Sequence, residues 1–337
     1  MFGIEIEFAE PGAGVLSDPA ILIAALLVDW IIGDMRWLFR FVPHPVVLIG
    51  GLTGFFDRKL NRDARSDINR TIRGAVMTVI VGSVAAAAGW GLARGLHSLP
   101  YGWGVEIILV AILLAQRSLA GRTADVGRAL RRGDEQAARD GLKHLCSRDP
   151  KSLDRPGVAR AAIESLSENF SDAVVAPAFW FAILGLPGLF AYKAINTMDS
   201  MVGYKTEKYL AFGMTAAKTD DAVNWIPARL AGLLIVIAAV FIPTGRPVRA
   251  LKTIARDAPK HASPNAGWPE AAMAGALDFA LGGPRHYAGE AAKTTWIGSG
   301  RARLDGADIG RAVVLYVVAC FLLLITIAPL AVATPLR

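Results

Sequence analysis

The sequence predicts an all-α, polytopic membrane protein with about four to six membrane segments, some broken or re-entrant, and two helical polar inserts. Three observations carry this fold class. The 337-residue chain is 53% apolar with a mean hydropathy of +0.41, above the roughly 45–50% of ordinary soluble domains. Its apolar residues are clumped. Residues 74–93, GAVMTVIVGSVAAAAGWGLA, and 312–333, AVVLYVVACFLLLITIAPLAVA, each reach the roughly 20 residues that cross a bilayer. The net charge of +7 reflects Lys and Arg gathered in residues 58–73, 117–160 and 246–311. That is the pattern of cytoplasmic loops rather than of a nucleic-acid surface.

The elements follow in order. Residues 1–17 form a tail outside a single membrane-embedded domain, 18–337. Glu5, Glu7 and Glu10 stand where a leader peptide needs basic residues, so no cleaved leader is expected. Residues 20–32 form a short apolar helix interrupted by Asp29, and 43–56 are half-apolar, Gly-rich and too short to span. Residues 58–73, with six Lys or Arg, are expected as a loop. Residues 74–93 and 103–115 make an out-and-back hairpin. The insert 117–160 reads as two amphipathic helices broken near Gly133, with Asp134 capping the second.

Residues 173–195 are apolar but carry Pro177, Gly185, Pro187 and Gly188, and 196–227 are polar. Residues 228–243 are apolar again, 246–310 form the second polar insert, and 312–333 the last span. In the second insert Arg249, Lys252 and Arg256 share a face of an amphipathic segment, 247–257. It is expected to lie on an anionic leaflet. Simple alternation of spans would put 196–227 outside, away from the acids of 164–172. LGLPGL (184–189) offers the alternative of two half-helices that dip in and return, and 228–243 is short enough to do the same. Irregular backbone at membrane depth is tolerated where protein or a water-filled cavity surrounds it. All polar inserts then face one cytoplasmic chamber. Cys146 and Cys320, the only cysteines, suggest neither a disulfide framework nor a zinc site.

The chemistry-bearing residues abut the apolar segments. Glu164, Glu168 and Asp172 are spaced i, i+4, i+8, one stripe of a helix. Like charges at that spacing repel unless a cation sits on them. Asn196 and Asp199, then Asp220, Asp221 and Asn224, repeat the theme. Oxygen ligands of this kind suit Mg²⁺, which takes one or two carboxylates plus substrate phosphates. Three such clusters, with Asn169 beside the first, predict one metal–phosphate site assembled from several helix ends. Helix capping is the competing account of the second and third clusters. Lys193, Lys205 and Arg229 are candidate clamps for phosphate or carboxylate. In NAGWPE (265–270), Asn265 and Trp268 lie in a loop that feeds a helix start at Glu270, suited to a large flat ligand or an anion. His44, held between two prolines, is a candidate proton carrier. No G-x-x-x-x-G-K-[ST] loop, G-x-G-x-x-G turn or G-x-S-x-G elbow occurs.

HPVVLIG (44–50), the long run from Ser167 to Tyr209 beginning SENFSDAVVAPAFWF, DDAVNWIPARL (220–230) and NAGWPEAAMAGAL (265–277) together resemble the adenosylcobinamide-phosphate synthase family of cobalamin biosynthesis. The resemblance covers most of the chain and excludes the tail 1–17. It implies a multi-pass protein of a bacterial inner membrane, with its active site facing the cytoplasm. The implied reaction joins a carboxylate of adenosylcobyric acid in amide linkage to (R)-1-amino-2-propanol or its O-phosphate, with ATP and Mg²⁺. On that footing Glu164, Glu168, Asp172, Asn196, Asp199, Asp220 and Asp221 are expected around Mg²⁺, with Glu168 and Asp172 closest to the chemistry. Lys193, Lys205, Arg229, Asn169 and Asn224 would contact phosphate or a corrin carboxylate, and Tyr204, Asn265 and Trp268 the corrin or the amino alcohol. Glu270 or His44 is the expected acceptor of the amine's proton. ATP lacks a phosphate loop to hold it. The expected partners are these small molecules and membrane lipid, with no nucleic acid. A homo-oligomer or a soluble protein partner is left open. Two other readings fit the acids: a membrane prenyl- or phosphotransferase with a Mg²⁺–diphosphate site, and a non-enzymatic transporter or sensor.

Overall fold

The computed structural model describes residues 18–333 except 36, 63, 147–149, 284, 288–289 and 293–294. The tail 1–17 lies outside the described residues. The chain is helical nearly throughout, as the apolar clumping predicts. The first part comprises α1 (Asp18–Ile32), α2 (Pro45–Leu60), α3 (Asp67–His97), α4 (Gly102–Leu113), α5 (Gln116–Arg131) and α6 (Glu135–Leu142). Then come α7 (Arg155–Phe170), a single π turn (Ser171–Val175) and α8 (Ala176–Val202). After these follow α9 (Met214–Val223), α10 (Trp225–Ala238), α11 (Pro247–Asp257), α12 (Gly267–Leu277) and α13 (Gly306–Ala333). Among the described residues, four short strands lie between α12 and α13. β1 (Leu281–Gly282) pairs antiparallel with β4 (Trp296–Ile297), and β2 (Arg285–Tyr287) with β3 (Glu290–Ala292).

Among the described residues, four helical runs are long and apolar enough to cross a membrane: Asp67–His97, Gly102–Arg131, Arg155–Val202 and Gly306–Ala333. The count rises to five if α9 and α10, bent by 47°, are one broken span. The run Arg155–Val202 has 48 residues. At 1.5 Å per residue it would reach about 72 Å if straight, more than twice the roughly 30 Å of bilayer hydrocarbon. It is not straight. Gly185 sits at φ 62°, ψ −152°, open to glycine and closed to ordinary L residues. A Cβ on Gly188 would stand 2.5 Å from the carbonyl oxygen of Trp180. Eight residues of straight helix would separate those positions by about 12 Å. The chain therefore doubles back at Gly185, and both arms of the run, 168–184 and 186–202, return towards one end. This is the dip-and-return geometry that LGLPGL predicts.

Other sequence expectations are met or corrected locally. Gly133 adopts φ 77° and Asp134 accepts from Ala137 N at 2.9 Å, capping α6. The basic stretch 58–73 is largely helical rather than a loop: α2 runs to Leu60 and α3 starts at Asp67. Side-chain pairs sustain the helix there. Arg73 Nε donates to Asn69 Oδ1 at 2.7 Å, and Arg70 Nε to Asn61 Oδ1 at 3.1 Å. Residues 45–56 also belong to a longer helix, α2, whose start is capped by His44. Within the second polar insert, residues 281–282 and 285–287 form β1 and β2.

Candidate functional site

The doubled-back helix brings the predicted acids together. A cleft of about 540 Å³ is lined by Glu168, Asn169 and Asp172 from the end of α7 and the π turn. Asn196, Asp199 and Ser200 come from the returning arm, and Gly203 and Tyr204 from the loop beyond it. Its remaining wall is Ser165 and the loop 143–146 that follows α6. Ser165 Oγ donates to Leu145 O at 2.6 Å, which fixes that loop against α7. Asn169 Nδ2 donates to Ser165 O at 2.9 Å, so its amide is anchored by its own helix.

The two arms are tied below the cleft. Tyr192 Oη donates to the Asp172 carbonyl at 2.8 Å and lies 3.0 Å from Asn224 Oδ1. Asn224 Nδ2 donates to Asp220 Oδ2 at 3.0 Å, and Asn196 Nδ2 approaches Asp220 Oδ1 at 3.4 Å. Asp220 is thus buried behind the rim, orienting the two asparagines. Asp172, Asp199 and Asp220 act on one another electrostatically, with Glu168 beside Asp172 and Asp221 beside Asp199. Lys193 is the cation within reach of Asp172 and Asp220, and Lys205 that of Asp221. Carboxylates outnumber cations here, a field that favours a divalent cation or the positive end of a substrate.

Among the described residues no three acidic, imidazole or thiolate groups stand together as a preformed metal cage. The carboxylates of Glu168, Asp172 and Asp199 and the side-chain amide of Asn196 are nevertheless oxygen donors of the kind Mg²⁺ takes, and they line an open cleft.

A second group lies beyond Asp221. Arg229 is stacked between Trp225 and Trp268, its guanidinium 4.3 and 4.5 Å from the ring centroids. Its Nη1 donates to Asn265 Oδ1 at 2.9 Å and to Trp225 O at 2.8 Å. Asn265 Nδ2 donates in turn to Asp221 O at 2.8 Å. The predicted residues Arg229, Asn265 and Trp268 therefore form one unit, joined to α9 at Asp221. Trp225 was missed, although its i, i+4 spacing to Arg229 pointed to it.

Three predicted residues are engaged elsewhere. Glu164 shares the stripe of Glu168 and Asp172, yet it is buried and does not line the cleft. Its Oε1 accepts from Gly282 N at 2.6 Å, bracing β1 against α7. His44 uses both ring nitrogens for structure: Nδ1 accepts from Val46 N at 3.1 Å, and Nε2 is 3.2 Å from Ile112 O. Glu270 is buried in the first turn of α12, 3.6 Å from His261 Nε2. Neither His44 nor Glu270 lines the cleft. Conversely, Lys143 and His144 line it and carried no motif.

Fold and cleft together define a polytopic helical membrane protein with an acid-lined chamber held between the two arms of a folded-back helix. A family profile described as CobD/Cbib protein matches residues 22–316. The chain belongs to the CobD/Cbib family. A cobalamin biosynthesis protein CobD from a Sinorhizobium species is 48% identical over 303 residues, covering 89% of this chain and 94% of the relative. The protein of the same name from Rhizobium meliloti (strain 1021) is 44% identical over 319 residues, 94% and 97% of the two chains. That from Rhodobacter capsulatus is 44% identical over 301 residues, 88% and 92%. No solved structure matches the chain.

Proposed function

We propose that this chain acts in cobalamin biosynthesis as an amide-forming synthase, joining a carboxylate of adenosylcobyric acid to (R)-1-amino-2-propanol or its O-phosphate. The observation that carries the reading is the convergence of Glu168, Asp172, Asn196 and Asp199, from both arms of one doubled-back helix, on a single cleft. The family's named role in cobalamin biosynthesis supplies the substrate class. A carboxylate is a poor acyl donor. Its oxygen attacks the γ-phosphorus of ATP, the bond to the β-phosphate oxygen breaks, and ADP leaves. The amine then attacks the acyl carbon, inorganic phosphate departs with the C–O electrons, and one proton is lost from nitrogen.

Asp172 and Asp199, with the amide oxygen of Asn196, would hold Mg²⁺. The ion would neutralise phosphate charge as it shifts between oxygens. Glu168, the exposed carboxylate of the cleft, would take a proton from the substrate ammonium and so free the amine that attacks. Asp220 and Tyr192 position this set without facing the reactants. Arg229 keeps N–H groups for a corrin carboxylate while its flanking rings present flat apolar faces.

The test is direct. Protein purified in detergent is given adenosylcobyric acid, ATP and Mg²⁺ with either amino alcohol. The expected result is the amide product by mass spectrometry with one ADP per product. Absence of product with both amines, from folded protein, overturns the reading.

A further inference from the structure

Away from the acidic cleft, the molecule carries an arginine cleft. A cavity of about 420 Å³ is lined by Arg246, Arg249, Arg301 and Arg311, with Asp278 and Ser299. It shares no residue with the acidic cleft. The arginines are held apart rather than left to collapse on one another. Asp278, in the left-handed conformation at φ 60°, reaches Arg246 at 2.7 Å and Arg249 at 2.6 Å. Buried Asp308 reaches Arg301 at 2.5 Å and Arg311 at 3.4 Å. Four guanidiniums thus share two carboxylates and leave a net positive cavity. Arg311 Nε is buried and makes no hydrogen bond among the described residues.

The position of this cleft names its ligand. Arg311 stands one residue before the apolar run 312–333 of α13. Arg246 N donates to Ala276 O at 2.9 Å, docking the start of α11 against the end of α12. An exposed apolar stripe runs from α10 through Phe241 to α11: Leu233, Ile237, Phe241, Val248 and Leu251 are all exposed, Phe241 and Val248 each by 64%. Lys252 and Arg256 flank it on α11. An apolar stripe beside arginines, level with the start of a membrane span, is the pattern of a segment lying in the headgroup layer. Guanidinium forks match phosphate oxygens bidentately. Net positive charge selects lipids whose headgroups add no compensating amine.

We propose that the arginine cleft binds the phosphate of an anionic phospholipid, with the apolar stripe of α10 and α11 in the acyl layer beside it. The full chain in dodecyl maltoside is titrated with dioleoyl phosphatidylglycerol, with dioleoyl phosphatidylcholine, and with inorganic phosphate. Retained lipid is counted by native mass spectrometry and Tm is followed. Phosphatidylglycerol is expected to be retained and to raise Tm, and phosphatidylcholine to do neither. R246Q/R301Q should bind phosphatidylglycerol at least fivefold more weakly, while R58Q/R62Q, at the end of α2, should bind as wild type. If R246Q/R301Q fails to fold, V248S/L251S decides, because it leaves every arginine in place and should also weaken binding. Wild-type binding by the folded arginine variant, or by V248S/L251S, overturns the proposal. So does equal retention of phosphatidylcholine. A Tm rise produced in full by inorganic phosphate alone would assign the cleft to a soluble anion and overturn the lipid.

Discussion

The hydroxyl of Tyr192 donates to the backbone carbonyl of Asp172, 2.8 Å away and twenty residues earlier in the chain. That bond joins the two arms of the doubled-back helix where the acidic cleft begins. Asp172 lies in the π turn, where Ala176 N bonds back to Ser171 O; the next bond of that repeat would bring Asp172 O to residue 177, a proline with no N–H. Tyr192 serves that carbonyl and sets the rotation of the turn. Tyr192→Phe keeps the ring and removes the bond, at a cost of about 1 kcal/mol of stability. The expected outcome is a fall of a few degrees in Tm with roughly tenfold lower turnover, measured on the same purified protein. Unchanged turnover would separate the tie from the site.

Asp172 and Glu164 occupy the same predicted stripe and should behave oppositely when mutated. Asp172→Asn removes a charge from the cleft with no change in volume. Turnover should drop by about 100-fold or more while the protein stays folded. Glu164→Ala removes the buried acceptor of Gly282 N–H, which costs about 1–3 kcal/mol for the orphaned donor. It should lower Tm and spare turnover below the transition. Thermal melts and initial rates on the two variants distinguish a site residue from a brace.

That contrast marks what the sequence could say. The spans and the break at Gly185 were legible because length, hydropathy and Gly/Pro punctuation are local. The cap at Asp134 was legible for the same reason. Spacing placed Glu164, Glu168 and Asp172 on one face, but it could not report that Glu164's partner lies 118 residues away in a β-ribbon. Nor could it report a π turn under Asp172. Lys143 and His144 reach the cleft only through the packing of α6 on α7, which no motif encodes. His44 resembled a proton carrier because prolines hold it rigidly. The rigidity serves a helix cap instead.

His44 therefore predicts a pH effect on stability. Burial holds its pKa below the ordinary imidazole value, and nearby Lys193 pushes the same way, against the bond to Ile112 O and the charge of Asp34. The neutral form is the one that caps, since Nδ1 must accept from Val46 N. The unfolded chain binds the proton more readily than the folded one. Stability from this residue is therefore complete above about pH 6.5 and is lost as the pH falls through the lower folded-state value. His44→Asn retains a capping side chain and should flatten the fall in Tm between pH 7.5 and 5.

Arg229 offers a sharper test of the second unit. Its guanidinium fills the space between Trp225 and Trp268 and donates to Asn265. A lysine ammonium keeps the charge but cannot stack in that slot or bond in plane. Arg229→Lys should therefore act nearly as strongly as Arg229→Ala. Both should raise KM for adenosylcobyric acid by about tenfold or more, with KM for ATP little changed. Rescue of the corrinoid KM by lysine would mean that charge alone matters, and the flat-ligand role of the two tryptophans would fall.

The doubled-back helix also fixes which surfaces share a side. Arg62 lies between α2 and α3, and Lys205 lies just beyond the returning arm of α8. Asn61 Nδ2 donates to Lys208 O at 3.1 Å, so the two loops meet. Surfaces in contact cannot be separated by about 30 Å of hydrocarbon. With Cys146 and Cys320 replaced, Arg62→Cys and Lys205→Cys should react alike with a membrane-impermeant maleimide: both protected in intact cells, both labelled after permeabilisation. Labelling of Lys205→Cys alone in intact cells would require the run from Arg155 to Val202 to cross once. It would then remove Asp199 from the side that holds Glu168.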